Sequence, residues 1–268
     1  AKTMNSVEAS FMIGIFVVNT GFGWLISSQY SEFWRFGFLM IALLSVITIF
    51  LLSKIEITES KPSGNNNIFS ELSGFTTPVV TLFLAVIFFI VFVEQGFNSW
   101  LPSFYKNHLK VNSFFALQAT SFLSLFSYAG RIVTANIIRR FSLSKYYVTC
   151  ISLIIALLII ILGIQYFDSE DSRLILFLFP VIGLFLSPLY PVVNSKMITL
   201  IDKEKVNLFT SLIVIFSSLG SSVSSIIMAI LFGKQLLNFY PLYILCTVIL
   251  LFVISLMYFN VSKRKYRK

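Results

Sequence analysis

Histidine is almost missing from this chain. There is one, His108, and beside it only two cysteines, Cys150 and Cys246. Metal-assisted, acyl-transfer and other nucleophilic chemistry draws on His, Cys or clustered carboxylates. One histidine in a predicted loop and one carboxylate inside an apolar run cannot supply it, so an enzyme is not expected, nor any cofactor or metal site. Both cysteines fall inside apolar runs and are expected as free thiols, which leaves the redox compartment unassigned.

Charge is scarce too. Asp, Glu, Lys and Arg make up 12% of the 268 residues, against about 25% in a soluble domain. The remainder is 57% hydrophobic, with a mean hydropathy of +0.90. That much apolar surface belongs in a bilayer. A net charge of +9 could point to nucleic acid. The basic residues punctuate apolar runs, however, as topology signals do, so no nucleic-acid partner is expected.

What the chain does have is long apolar runs. Eight spans are predicted: Ala9–Ile26, Phe36–Leu52, Val79–Phe97, Phe114–Ile138, Tyr147–Ile164, Leu174–Ile201, Leu208–Phe232 and Tyr240–Phe259. At 1.5 Å per residue each crosses a hydrocarbon core about 30 Å thick. Backbone groups in lipid must be satisfied within the segment, so the spans are helices and the fold class is all-α, polytopic and membrane-embedded.

The basic residues orient it. With the tail Lys263-Arg264-Lys265-Tyr266-Arg267-Lys268 on the cytoplasmic side, an even number of spans puts the N-terminus there too. Fourteen of the twenty Lys and Arg then lie inside and five outside, and the outer loop Asp168-Ser169-Glu170-Asp171 is acidic. That asymmetry sets both termini in the cytoplasm of a cell-membrane protein (the cytoplasmic membrane in a bacterium). The predicted organisation is two helices over 1–52, a polar cytoplasmic linker over 53–76, six helices over 77–260 and a basic tail over 261–268. The chain opens at Ala1 and shows no signal peptide, an opening expected of a fragment.

Of eleven carboxylates, ten read as lying in loops or at the ends of apolar runs, and Glu94 alone as lying within one. A charge there costs about 2.5–3.5 kcal/mol on insertion scales, so it usually marks a polar cavity or a proton path. At 1.5 Å per residue Glu94 is expected about 24 Å from the cytoplasmic end of its helix, in the outer third of the bilayer. Asn98 shares its face at i+4, and Gln95 with Ser99 makes a neighbouring pair.

Three stretches, in order and spacing, carry a family resemblance. They are Glu94-Gln95-Gly96-Phe97-Asn98-Ser99-Trp100-Leu101-Pro102, then Tyr128-Ala129-Gly130-Arg131 with Ile138-Arg139-Arg140-Phe141-Ser142, and Gly183-Leu184-Phe185-Leu186-Ser187-Pro188-Leu189-Tyr190-Pro191. The chain resembles the major facilitator superfamily from its fifth helix to its C-terminus, and within it the fucose-permease-like sugar:proton symporters. Trp34-Arg35 opens the second span as a Trp-Arg pair often does on that fold's sixth helix.

The resemblance implies two helices of an N-terminal half and a complete six-helix C-terminal half. The remaining N-terminal helices, which carry the group's principal proton-coupling carboxylates, are then a partner this chain needs. It departs from the family at Ala135 and Arg139, where the loop motif usually has Gly and Asp. The Gly-Pro signature of antiporters is absent at Gly21-Phe22-Gly23-Trp24, which favours symport.

The implied function is secondary active transport of a small polar solute, a sugar, with protons, by alternating access. A non-transporting scaffold or degenerate remnant, or a transporter of another metabolite or drug, is the alternative.

Each candidate also has a plainer role. Glu94, Gln95 and Asn98 would bind solute hydroxyls or a proton, or else Glu94 snorkels or stays protonated. Trp100 would stack on a sugar ring or belong to an interfacial belt. Gly130 and Arg131 would serve an inner gate with Arg139 and Arg140, or else Arg131 anchors its helix by snorkelling. Glu94 and Arg131 are expected at different depths and not to pair. Pro188 and Pro191 would break a helix to expose Tyr190 and Asn194 to the site, or only kink it. The run from Ser217 to Ser225 reads as close helix packing, as do Gly14 and Gly21. His108 is expected to be solvated.

Overall fold

The computed structural model describes residues 2–28, 31–55, 77–138, 140–167, 172–198, 201 and 205–265. Arg139, the acidic loop 168–171 and nearly all of the linker 53–76 lie outside the described residues. Every regular element among the described residues is helical. In chain order they are α1 (Lys2–Ser27), α2 (Phe36–Leu52), α3 (Pro78–Asn107), α4 (Ser113–Ile137), α5 (Leu143–Phe167), α6 (Ser172–Leu186), α7 (Leu189–Ile198), α8 (Val206–Gly233) and α9 (Tyr240–Lys265). Single 3₁₀ turns precede α2 and α9.

Among the described residues, seven spans are long and apolar enough to cross a membrane, with α6 and α7 together counted as one. The remaining predicted span, the fourth, is α4, which is as long at 25 residues. Its apolar run is broken by Gln118, Thr120, Ser121, Ser124, Ser127, Arg131 and Thr134, all of which it buries against its neighbours. A helix can be this polar in lipid only when its polar face meets protein. The chain is a multi-pass membrane protein.

The predicted sixth span is two helices. The α6 helix ends at Leu186 and α7 starts at Leu189, because Pro188 and Pro191 have no N–H to continue the ladder. The break is satisfied locally: Ser187 N–H donates to Gly183 O, and Val192 N–H donates to Pro188 O. Pro102 and Pro180 stay inside their helices.

Helix α3 is the centre of the bundle, packing against α4, α8 and α9 and touching α6 and α7. One face of it, from Val79 to Tyr105, is buried. Lipid tails are as apolar as Leu, so small residues and hydroxyls decide how closely helices approach. The Ser217–Ser225 run does this against α3. A Cβ on Gly220 would stand 2.4 Å from Phe88 O, and Ser224 Oγ donates to Phe92 O at 2.7 Å. Gly14 and Gly21 do not pack as expected, with nothing within 4 Å of a Cβ at either. It is Gly23 that meets α4, against Gln118 and Leu117.

Helix α1 lies along α4 and also touches α7, whereas α2 packs chiefly on its own preceding turn. Its side chains, Leu39 to Leu52, are largely exposed. The turns after α3 and α8 need left-handed backbone at Lys110 (φ 52°) and Gln235 (φ 56°). Asn112 caps α4 by accepting from Phe114 N–H at 3.0 Å.

Candidate functional site

A cavity of about 390 Å³ opens between α1 and the bundle, with polar lining from Glu8, Glu94, Asn98, Arg131, Tyr190 and Ser217. Its apolar walls come from Val7, Phe11, Met12 and Ile15 of α1 and from Val91 of α3. A narrow recess continues behind it, past Phe97 and Leu123 to Ser127 and Ser187.

Glu94 and Asn98 face this space together, as their i+4 spacing on α3 requires. Helix α3 is 30 residues long and runs through Pro102 to Asn107. That places Glu94 near the middle of the helix. Glu94 and Arg131 line one cavity, and the two form no ion pair with each other.

The carboxylate that pairs with Arg131 is Glu8. Arg131 Nη1 lies 2.9 Å from Glu8 Oε2, and the same nitrogen donates to the Glu8 backbone oxygen at 2.8 Å. Arg131 is only 3% exposed, and its Nε has no hydrogen-bond partner. In the sequence Ala9 opens the first apolar run, which leaves Glu8 just outside it. The helix starts at Lys2, so Glu8 is a second carboxylate within a helix. A signal was available: a cation inside one span calls for an anion within another.

Tyr190, on the first turn of α7, also reaches the cavity, positioned there by the Ser187-Pro188 break. Asn194 does not line it. It is 4% exposed, with Oδ1 unpartnered.

Gln95 and Trp100 face elsewhere. Gln95 Nε2 donates to Ser99 Oγ at 2.7 Å and to Ser225 Oγ at 3.2 Å, tying α3 to α8. Trp100 packs on Phe232 with ring centroids 4.8 Å apart. It lines a separate pocket with Ser103, His108, Lys110 and Asn238.

Of the proposed gate residues, Gly130 is pressed on α6, and Arg140 is exposed in the turn after α4. His108 is half-buried, not free in solvent. Its ring packs on Phe104, and its Nε2 lies 3.2 Å from Gln165 Nε2.

One cavity thus gathers a charge pair from two helices, a further carboxylate, an amide, a phenol and a hydroxyl. The family model described as Major Facilitator Superfamily matches residues 1–224. The chain belongs to that superfamily.

Among solved structures, an E. coli fucose:proton symporter variant is similar at 14% identity and a TM-score of 0.61, over 87% of this chain and 55% of that one. A Major Facilitator Superfamily transporter, FucP, in the outward conformation gives 13% identity and a TM-score of 0.63, over 86% and 57%. A bacterial homologue of the iron transporter ferroportin in its outward-facing state gives 12% identity and a TM-score of 0.65, over 97% and 63%. At these identities the likeness is one of fold. This superfamily chain thus spans between 55% and 63% of the solved proteins it resembles. No curated protein matches it.

Proposed function

We propose that this chain supplies part of the solute pathway of a secondary active transporter. It would move a small polar solute, a sugar, in symport with protons by alternating access. The observation that carries this reading is the shared cavity, in which Glu94, Asn98, Tyr190 and Ser217 face the Glu8–Arg131 pair across about 390 Å³.

A sugar needs groups that donate and accept around each hydroxyl. Asn98, Tyr190 and Ser217 can do both, while ionised Glu94 accepts two or more bonds and, protonated, donates one. Proton coupling follows if Glu94 exchanges its proton with the cavity.

In this reading α1 and α2 belong to one helical half and α3–α9 to the other, joined by a cytoplasmic linker over 53–76. Both termini are cytoplasmic in the cell membrane. Further helices of the same protein pack on α1 and α2 in the working transporter, and rocking of the halves exposes the cavity to each side in turn. Tyr190 and Asn98 are the proposed solute contacts. Gln95 and Trp100 hold α3 against α8, and Gly130 and Arg131 serve the gate.

The test is solute-induced proton uptake by the full-length protein in proteoliposomes, across a panel of hexoses and deoxyhexoses. Alkalinisation of the medium with one sugar, reduced in Glu94→Gln, is the expected result. A mutant that matches the wild type would leave Glu94 structural. Silence from every sugar would overturn the sugar assignment and turn the search to other metabolites.

A further inference from the structure

We propose that a second pocket, formed where α3 and α8 end and α9 begins, binds a hydroxylated phosphate ester of the kind carried by an anionic phospholipid headgroup. The inference goes beyond the transport reading and does not depend on which solute the central cavity takes.

The pocket encloses about 620 Å³, more than the cavity around Glu94 at about 390 Å³. Helix α3 lines it with Trp100, Ser103 and Asn107, at i, i+3 and i+7. At 100° per residue these lie between about 120° and 180° round the helix from Glu94. No residue lines both spaces, so the pocket stands off the proposed solute pathway. Helix α3 has 30 residues, which is about 45 Å of helix against a hydrocarbon core of about 30 Å. Its last turn, carrying Asn107, therefore stands at headgroup depth.

The chain adopts an unfavourable backbone to build this lining. Lys110 (φ 52°) and Gln235 (φ 56°) are the only non-glycine residues with positive φ among the described residues, and both line the pocket. Gln235 follows α8, where its N–H donates to Phe232 O and that of Leu236 to Leu231 O. Glycine is the usual residue at that helix-ending position, because it has no Cβ to crowd the backbone. Here two long polar side chains stand where glycine would fit better, and each adds a polar group to the same pocket.

The lining donates more than it accepts. The Trp100 indole and the Lys110 ammonium donate only. His108 joins them: its Nε2 accepts from the Gln165 amide at 3.2 Å, so its hydrogen sits on Nδ1. None of the described lining residues carries a carboxylate. The complement is a ligand rich in acceptor oxygens, and a phosphate on Lys110 supplies them.

The amides of Asn107, Gln235 and Asn238 both donate and accept, as hydroxyls require. Trp100 and Phe232, with ring centroids 4.8 Å apart, give an apolar floor for the ligand's carbon skeleton. Gln165 also donates to Asn238 O at 3.1 Å, so α5 ties two sides of the pocket together before any ligand arrives. Leu236 and Phe239 flank the lining residues in the chain and are exposed, offering a surface to acyl chains.

The test is native mass spectrometry of the full-length protein, delipidated in a neutral detergent. It is titrated with phosphatidylglycerol, phosphatidylcholine or glycerophosphoglycerol, the soluble headgroup alone. Phosphatidylglycerol should occupy one site in preference to phosphatidylcholine. Lys110→Gly removes a charge-assisted bond and should weaken that binding about 10- to 100-fold. Gln235→Gly removes a neutral one and should weaken it about 2- to 12-fold. Both variants put glycine at a left-handed position, so without ligand they should unfold at the wild-type temperature or above. A purely structural role for these side chains would not give weaker binding with undiminished stability.

Binding of the soluble headgroup as well would make a water-borne ester sufficient, and binding of the lipid alone would assign the site to the bilayer. Equal occupancy by phosphatidylcholine overturns the proposal, as does affinity unchanged in Lys110→Gly and Gln235→Gly. Absence of solute-driven proton uptake would count against the transport reading and leave this one standing.

Discussion

Gly130 approaches α6 so closely that a Cβ at this position would stand 2.1 Å from the carbonyl oxygen of Leu184. Close by, Ser187 Oγ donates to Ser127 O at 2.8 Å, and a Cβ on Gly183 would meet Leu123 O at 2.7 Å. Glycines on both partners thus let α4 and α6 meet backbone to backbone, and that contact brings Arg131 and Tyr190 to one cavity. The obstructing atoms are backbone, which cannot swing aside.

Gly130→Ala should therefore destabilise the bundle by about 1–3 kcal/mol, the range for overpacking a close contact. Gly163→Ala is the control. It lies on α5 with nothing within 4 Å of its Cβ, and should be neutral or stabilising by about 0.5–1 kcal/mol, as Gly→Ala is within helices. Thermal unfolding of both variants in the same detergent separates them, and equal midpoints would refute the steric account.

Solute contacts should follow the cavity and not the sequence cluster. Asn98→Ala and Tyr190→Phe remove groups that face it, each worth about 0.5–1.5 kcal/mol as a hydrogen bond, or roughly a 2- to 12-fold loss of apparent affinity. Trp100→Phe changes a ring packed on Phe232 in a different pocket and should leave affinity within about twofold on the same scale. Concentration dependence of uptake measures all three. A large loss from Trp100→Phe alone would move the site to that second pocket.

Ser224→Ala should weaken the α3–α8 contact modestly. Its hydroxyl bonds Phe92 O in a fully buried position, and side-chain bonds between membrane helices average about 0.6 kcal/mol. The exposed neighbour Ser222→Ala should cost less. A double comparison by thermal unfolding decides it, and no difference between them would mean that Gly220 alone sets the approach.

His108 offers a clean pH readout, since the chain has a single histidine. Burial pushes its pKa below the ordinary 6.5. The Gln165 amide that lies 3.2 Å from the ring also donates to Asn238 O, so the ring must accept at Nε2 and be neutral there. The neutral form is favoured in the folded protein. The associated stability is fully present above about pH 6.5 and is lost as pH falls through the depressed folded value, because the unfolded chain then binds more protons. The imidazole resonance should titrate below 6.5, and amide exchange at the α8–α9 turn should quicken over that window. Titration at or above 6.5 would contradict the burial account.

Much of this was legible along the chain. Apolar runs bounded by polar turns require membrane-crossing helices wherever they are long enough, because the backbone in lipid has no other way to satisfy itself. The second span, Phe36–Leu52, coincides with α2. The i+4 spacing of Glu94 with Asn98, the proline break after Leu186 and the small-residue run on α8 are local patterns with local consequences. The residue order around Glu94, Arg131 and Ser187-Pro188 was enough to indicate the superfamily.

What waited for the tertiary structure is everything set by rotation about a helix axis and by true helix length. Gln95 and Trp100 stand near Glu94 in sequence yet face α8 and a separate pocket, since neighbouring residues on a helix point about 100° apart. Glu8 seemed to be an end residue until α1 was seen to start at Lys2. Its pairing with Arg131 depends on how α1 lies along α4, and no local pattern encodes that. Hydropathy says how much of each helix must be hidden from water; only packing decides which charge meets which, and hence where the polar cavity forms.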